Sequence, residues 1–193
     1  MRELAKAALR GAGTLLILPR LVLFLCWSVV LERNRAFEGA MQGLARVPGI
    51  RGVYMRGAFL RWTIDACHPT ATVSYGVLMS KTGARLGANV YVGPQCSLGL
   101  VSIEADVLLA DGVRIPSGAH THDVQNLAQP IREQGGSPVM VRVGSGSWIG
   151  SGAVILADVG RNCVVGAGAV VTKALPDDVV AVGVPARVIR VRS

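Results

Sequence analysis

From about Cys67 to the end of the chain an aliphatic residue returns every six positions, most often with a small residue directly behind it. The beat runs through Leu86, Val92, Leu98, Ile103, Leu109 and Ile115, stops, and resumes at Val143, Ile149, Ile155, Val165 and Val171. Val73 and Met79 start the series. Glycine follows the aliphatic residue in six of the eleven units from Leu86 on, which marks that position as one where the backbone turns or is closely approached. Neither the 3.6-residue period of an amphipathic helix nor the two-residue period of a half-buried strand produces a beat of six. A chain that lays down one flat face per six residues, and three faces per coil, does produce it. Each aliphatic residue then points into a narrow triangular prism, and stacked coils bury one continuous core. One coil is irregular, because Ile155 and Val165 stand ten residues apart where two units need twelve.

The first third follows another pattern. Residues 14–31, TLLILPRLVLFLCWSVVL, form the longest apolar run, interrupted by Pro19 and Arg20. The unbroken part, residues 21–31, is about half of the ~20 apolar residues that a spanning helix needs. Proline removes a helix donor and kinks the helix. The run therefore predicts a helix, a bend and a second helix that re-enters one leaflet or lies at the interface, with Arg20 reaching the headgroups. Pro48-Gly49 ends this pattern, and IRGVYMRGAFLRWTI predicts one further amphipathic helix.

Charge and composition divide the chain at the same place. Residues 1–66 hold ten Lys and Arg against four Asp and Glu, which is six of the net charge of +8, together with six of the nine aromatic residues. Arg2, Lys6, Arg10, Arg33, Arg35, Arg46, Arg51, Arg56 and Arg61 surround the apolar run, and each cation close to an anionic membrane favours it by ~1 kcal/mol. Trp27 and Trp62 suit the interface. The charges within and just after the run argue against a cleaved signal peptide. The competing reading of this region is a helical hairpin buried at an oligomer interface. The scarcity of aromatics after residue 66 fits a prism too narrow for rings. Cys26, Cys67, Cys96 and Cys163 are scattered, without disulfide or zinc spacing, and read as small apolar residues in a reducing compartment.

The C-terminal run SWIGSGAVILADVGRNCVVGAGAVVTKALPDDVVAVGVPARVIR, above all its segments WIG, VVGAGAVVTK and VGVPARVIR, resembles the closing signature of the hexapeptide-repeat acyltransferases. The resemblance covers roughly residues 68–192. It implies a mainly β fold, a left-handed parallel β-helix, here preceded by N-terminal α-helices. Two domains follow: residues 1–66, helical and membrane-associated, and residues 67–193, a β-helix with a loop inserted at about 118–142.

That loop, HTHDVQNLAQPIREQGGSPVMVR, interrupts the beat for about two dozen residues and carries two of the three histidines, His120 and His122, followed by Asp123. Aperiodic loops of this length are usually functional or disordered. Similarity to galactoside and maltose acetyltransferases, aligned without gaps, puts the catalytic histidine on His120, and similarity to xenobiotic acetyltransferases puts it on His122. An imidazole titrating near ~6.5 can take a proton from a sugar hydroxyl and return it to a thiolate leaving group. The resemblance further implies that Trp148, Ser151, Ala167, Thr172, Lys173, Arg187 and Arg190 contact the acyl donor, acetyl-CoA, and that Gln95 contacts the acceptor. It implies a homotrimer with the donor channel between prisms.

The combined reading is an acyl-CoA-dependent O-acyltransferase, by default an O-acetyltransferase. It acts on a glycan or lipid-linked sugar at the cytoplasmic face of the cell membrane, with no metal and no nucleic-acid partner. Two alternatives are a non-catalytic β-helix scaffold and a zinc-dependent, carbonic-anhydrase-like hydratase. The hydratase needs three histidines around the metal, and the third, His68, lies about three coils from the pair.

Overall fold

The computed structural model describes residues 2–119 and 121–192, with side chains from residue 10 onward. Three helices, α1 (Arg2–Val30), α2 (Arg33–Ala45) and α3 (Gly49–Thr63), precede a solenoid of short strands stacked in parallel. Its first face holds β1 (Ala66–Cys67), β4 (Arg85–Leu86), β7 (Val101–Ile103) and β10 (Val141–Val143). The second face holds β2 (Thr72–Val73), β5 (Tyr91–Val92), β8 (Leu108–Leu109), β11 (Trp148–Ile149), β13 (Val164–Val165) and β15 (Val179–Val182), and ends in the antiparallel β16 (Arg187–Val191). The third face holds β3 (Leu78–Met79), β6 (Ser97–Leu98), β9 (Arg114–Ile115), β12 (Val154–Ile155) and β14 (Val170–Val171). Together they make roughly six coils of the parallel β-helix that the six-residue beat predicts.

The register shows why the beat is six. Val73, Val92, Leu109, Ile149, Val165 and Ala181 pair in one column of the second face, and every one is buried. On the first face Leu86, Ile103 and Val143 pair likewise, and single bridges extend that column to Val159 and Leu175. From first face to second, and from second to third, the inward residues are always six apart. From third to first the step varies: seven from Met79 to Leu86, five from Leu98 to Ile103, and four both from Ile155 to Val159 and from Val171 to Leu175. The two residues short between Ile155 and Val165 are therefore taken from one corner, where Val159 keeps its place on the first face, and the coil is complete.

The other two corners are regular because each turns through a left-handed residue. Asn89, Asp106, Gly146, Asn162 and Asp178 occupy one corner column, and Gly76, Gln95, Gly112, Gly152 and Gly168 the other, all at φ between 53° and 75°. Short polar side chains tolerate this conformation and here stitch neighbouring coils, Asn89 Nδ2 donating to Asp106 at 2.9 Å and Asn162 Nδ2 to Asp178 at 2.9 Å. Gln95 is the one long side chain among the glycines of its column.

A stacked prism ends in an open apolar layer, and α2 and α3 close it at the base. Phe37, Met41, Leu44, Phe59 and Leu60 join the same core as Val73, Met79 and Leu86. The Asn34 carboxamide oxygen accepts from the backbone of Thr82 at 3.0 Å, and Gly76 N–H donates to Ala45 O at 3.0 Å, so both ends of α2 are tied to the first coil. Arg56, expected among the surface cations, is fully buried instead. Its guanidinium donates to Leu44 O and Val47 O, each at 2.9 Å, and to Val73 O at 3.0 Å. Carbonyls left over at the end of α2 need donors, and the negative end of the helix dipole suits a cation. Desolvation lowers the pKa of Arg56 from the usual guanidinium value.

The helix α1 also departs from expectation. It runs through Pro19 without a break, so residues 10–30 form one helix long and apolar enough, by length and composition alone, to cross a membrane. Ile17 and Phe24 are buried on the cap, where Phe24 meets Phe59 and Phe37 edge-on at 5.7 and 6.5 Å between ring centroids. Arg20 lies across Gly43 of α2, where a Cβ would collide with its guanidinium. The packing of Ile17 and Phe24 on either side carries the helix past the one hydrogen bond that proline deletes.

Arg56→Met removes three hydrogen bonds to carbonyls that stay buried. Donors to such groups from a charged side chain are worth ~1.5–3 kcal/mol each when one partner is lost. The variant is expected to unfold well below the wild type in a thermal melt, and Arg56→Lys to recover only part of the loss, because one ammonium cannot span three carbonyls.

Candidate active site

The long step, from Ile115 to Val143, falls on the variable corner, and residues 116–140 leave the prism there as an arm. Its base is fixed. Buried Ser117 accepts the Leu100 N–H on Oγ at 2.9 Å, and its carbonyl accepts from Val139 at 2.8 Å. Further out Asp123 N–H donates to Gly135 O at 3.2 Å, and the Gln134 amide donates to Asn126 O at 2.7 Å and Gln129 O at 2.6 Å. The arm also holds a short 3-10 turn, Ile131–Glu133. Gly136 packs so closely on the Thr121 carbonyl and the His122 backbone that a Cβ would collide with them. His122 and Asp123 are exposed; His120 lies outside the described residues. Leu127 is 99% exposed and Val124, Ile131 and Val139 are more than half exposed, so the arm's apolar side chains face away from its own prism.

The residues expected at the acyl donor lie on three neighbouring parts of the upper coils. Thr172 and Lys173 follow β14 on the corner that carries the arm two coils below, and both are exposed. Ser151 and Ala167 sit on successive coils at the next corner, where Gly168 N–H donates to Ser151 O at 2.8 Å. Trp148 projects outward from the second face, half exposed, and its column runs through Val164 and Val180 to Arg190. Arg187 lies on the same terminal strand and is exposed. Gln95 is exposed on the corner column of Ser151 and Ala167, two coils below Ser151. The structure thus sets the arm, Gln95, Ser151, Ala167, Thr172 and Lys173 around the third face. Trp148, Arg187 and Arg190 stand on the second. Neither of two prominent cavities among the described residues encloses them: one lies between α1 and α2, the other between α1, α3 and the first coils. A prism is convex, so side chains on neighbouring faces diverge.

Asp111 escaped the sequence reading. It sits one coil below Ser151 on the same corner, and the Ser151 hydroxyl donates to it at 2.6 Å, which fixes the direction of that hydroxyl. The signal was available as the Asp-Gly of LADGV at the turn position of the repeat. Arg161 is held by Asp177, with contacts of 2.9 and 3.1 Å from its side chain and 2.8 Å from its backbone N–H. The backbone hydrogen bond from Arg161, followed by its side-chain hydrogen bond, holds the Asp177 carboxyl below its ordinary pKa. His68 turns the first coil at the corner between the first and second faces, a different corner from the arm, with its Nδ1 2.8 Å from the Thr70 hydroxyl. Among the described residues no group of three His, Cys, Asp or Glu side chains is placed to hold a metal. Burial pushes the Cys67 and Cys96 thiols up to about 11 and also raises Cys163, which keeps these three as neutral thiols near neutrality, unsuited to nucleophilic attack.

Residues 140–173 match the family model of the bacterial transferase hexapeptide (six repeats). That match lies in the upper coils of the solenoid, whose fold is a parallel β-helix built on a six-residue repeat. Among solved structures it is similar to a maltose O-acetyltransferase from Clostridium difficile 630, with 24% identity over 83% of this chain and 87% of that one, and a TM-score of 0.70. It is also similar to a galactoside acetyltransferase in complex with coenzyme A, with 26% identity over 83% and 81% of the two chains and a TM-score of 0.58. A third is AntD, an N-acyltransferase from Bacillus cereus in complex with dTDP and 3-hydroxybutyryl-CoA, with 15% identity over 69% and 86% and a TM-score of 0.55. No curated protein sequence matches the chain significantly.

Gly136→Val is expected to push the Thr121–His122 segment away from its seat. Because Gly136 lies on the arm and outside the prism core, the thermal melt should hardly move, while the proton resonances of the His122 ring should shift in an NMR spectrum.

Proposed function

We propose that the protein is an acyl-CoA-dependent O-acyltransferase that modifies a sugar hydroxyl of a glycan or lipid-linked saccharide at the cytoplasmic face of the cell membrane. The observation that carries this reading is the arm. It leaves a hexapeptide β-helix at the corner shared with Thr172 and Lys173, and it bears His-x-His-Asp. Two of the solved structures of similar fold are complexes with coenzyme A or an acyl-CoA, which supports acetyl-CoA as donor.

In the proposed reaction a histidine of the arm, His120 or His122, accepts the proton of the acceptor hydroxyl as its oxygen attacks the thioester carbonyl. The tetrahedral oxyanion collapses, the carbon–sulfur bond breaks, and the imidazolium returns its proton to the departing thiolate. Alignment of the two substrates supplies most of the remaining acceleration. Ser151, oriented by Asp111, together with Ala167 and Thr172, borders the thin pantetheine chain; Trp148 packs beside it. Lys173, Arg187 and Arg190 meet the phosphates, and Gln95 meets the acceptor. The divergence of these groups on a convex prism, the outward apolar side chains of the arm, and the exposed column of Tyr91, Leu108 and Trp148 all support a homotrimer whose sites lie between copies.

The membrane assignment rests on α1. Its outer side carries Leu15, Leu18, Val22, Leu25 and Val29 at helical spacing, all exposed and apolar. Its inner side is held on α2 and α3, which carry exposed arginines such as Arg33, Arg35 and Arg51. That packing supports a helix lying in the plane of the interface, with the arginines at the headgroups.

His120→Ala and His122→Ala should leave the melt unchanged, and one of them should lower transfer of label from acetyl-CoA to a glycolipid fraction by ~10²- to 10⁴-fold. Full activity in both variants would overturn the mechanism. Leu18→Glu combined with Leu25→Glu should move the protein from the membrane pellet to the supernatant, whereas salt alone should not release the wild type, because buried apolar area is not screened. A wild-type chain that stays soluble without detergent would refute the membrane assignment.

A further inference from the structure

Beside α1 a groove of about 700 Å³ runs between that helix and α2. Leu23, Phe24 and Trp27 form its apolar wall, Gly39 opens its α2 side, and Arg20 and Arg35 are its two charged groups. No carboxylate lines it, and none of the ion pairs among the described residues involves either arginine. Leu23 and Trp27 are at least half exposed, so the groove is continuous with the apolar outer surface of α1.

We propose that this groove binds one anionic phospholipid taken from the bilayer, with an acyl chain along Leu23, Phe24 and Trp27 and the phosphate drawn to Arg20 and Arg35. The inference rests on the membrane assignment of α1 and adds to it a specific site. An apolar trough alone would accept any lipid, and it is the charge complementarity that selects an anionic one. A guanidinium bordering hydrocarbon needs a counter-charge, and phosphate offers both charge and several acceptors to its planar fork. A peptide helix would fit the trough only if it carried acidic residues to meet both arginines. Occupancy would hold the cap, and with it the first coil, at a fixed height against the membrane.

The test uses the full chain purified in detergent, native mass spectrometry, and flotation with phosphatidylcholine vesicles with and without phosphatidylglycerol. Gly39→Leu fills the groove. No atom lies within 4 Å of a Cβ at this position and leucine favours the helix, so the variant folds. The wild type should carry one phosphatidylglycerol per chain and prefer the anionic vesicles by roughly tenfold or more, as two cations near a charged surface imply. Gly39→Leu should lose the bound lipid. Arg20→Gln with Arg35→Gln should lose the bound phosphatidylglycerol, reduce the preference for anionic vesicles and still float with neutral ones. Bound lipid that survives both changes, or a phosphatidylcholine adduct of equal occupancy, overturns the proposal. So does a second copy as occupant, seen as an assembly that Gly39→Leu splits. A chain that floats with neither vesicle overturns the membrane assignment itself. One that floats with both alike and carries no lipid overturns the groove alone.

Discussion

Everything in this molecule depends on the stacking of one aliphatic residue per face along a prism too narrow for anything larger. Each column places Val, Leu or Ile directly over its counterpart one coil away, as from Val73 through Val92, Leu109, Ile149 and Val165 to Ala181. Parallel pairing satisfies the backbone only if the register repeats, so the steps along two of the three sides are held at six. Rings are excluded for the same reason: Tyr75, Tyr91 and Trp148 project outward from the solenoid, and the phenylalanines all lie in the helical cap. Strict repetition on two sides leaves the third corner as the place where length can vary without disturbing the core. The arm was inserted there.

A repeat of this kind cannot end itself, because its first coil has no coil beneath it. The cap solves that with helices whose apolar side chains continue the core downward and whose spare carbonyls are collected by Arg56. Arg56 is a charge in the interior, where Nε and Nη1 replace water at three acceptors while the buried Nη2 has no partner. The three phenylalanines then couple the cap to α1, with Phe37 and Phe59 stacked 6.0 Å apart and Phe24 set edge-on against both. The apolar helix α1 and the first coil of the solenoid are thereby one mechanical unit.

Convexity shapes the functional end. Flat faces meeting at corners spread side chains apart, so a prism alone makes ridges and columns in preference to pockets. In the proposed assembly the folded arm, braced by Ser117 and Gln134 and carrying exposed apolar residues, supplies the missing wall from the side. There the wall belongs to one copy and the face it covers to the next.

The six-residue beat, the interruption with its histidines and the apolar, basic first third were all legible in the chain, because periodicity and composition are local properties. The coil that is two residues short was legible as an irregular spacing, but only the paired register shows Val159 in the column with Val143 and Leu175. Arg56 read as one more surface cation, since nothing in a sequence distinguishes an arginine facing water from one facing carbonyls at the end of α2 and on β2. Asp111 gained its partner forty residues away at Ser151 through the stacking of coils. Pro19 looked like a break between two helices and proved to lie inside one, whose neighbours in α2 and α3 are distant in the chain. What the sequence by itself determined was the unit that repeats; which groups meet was decided by how those units stack, since a contact between distant residues has no signature in either residue alone.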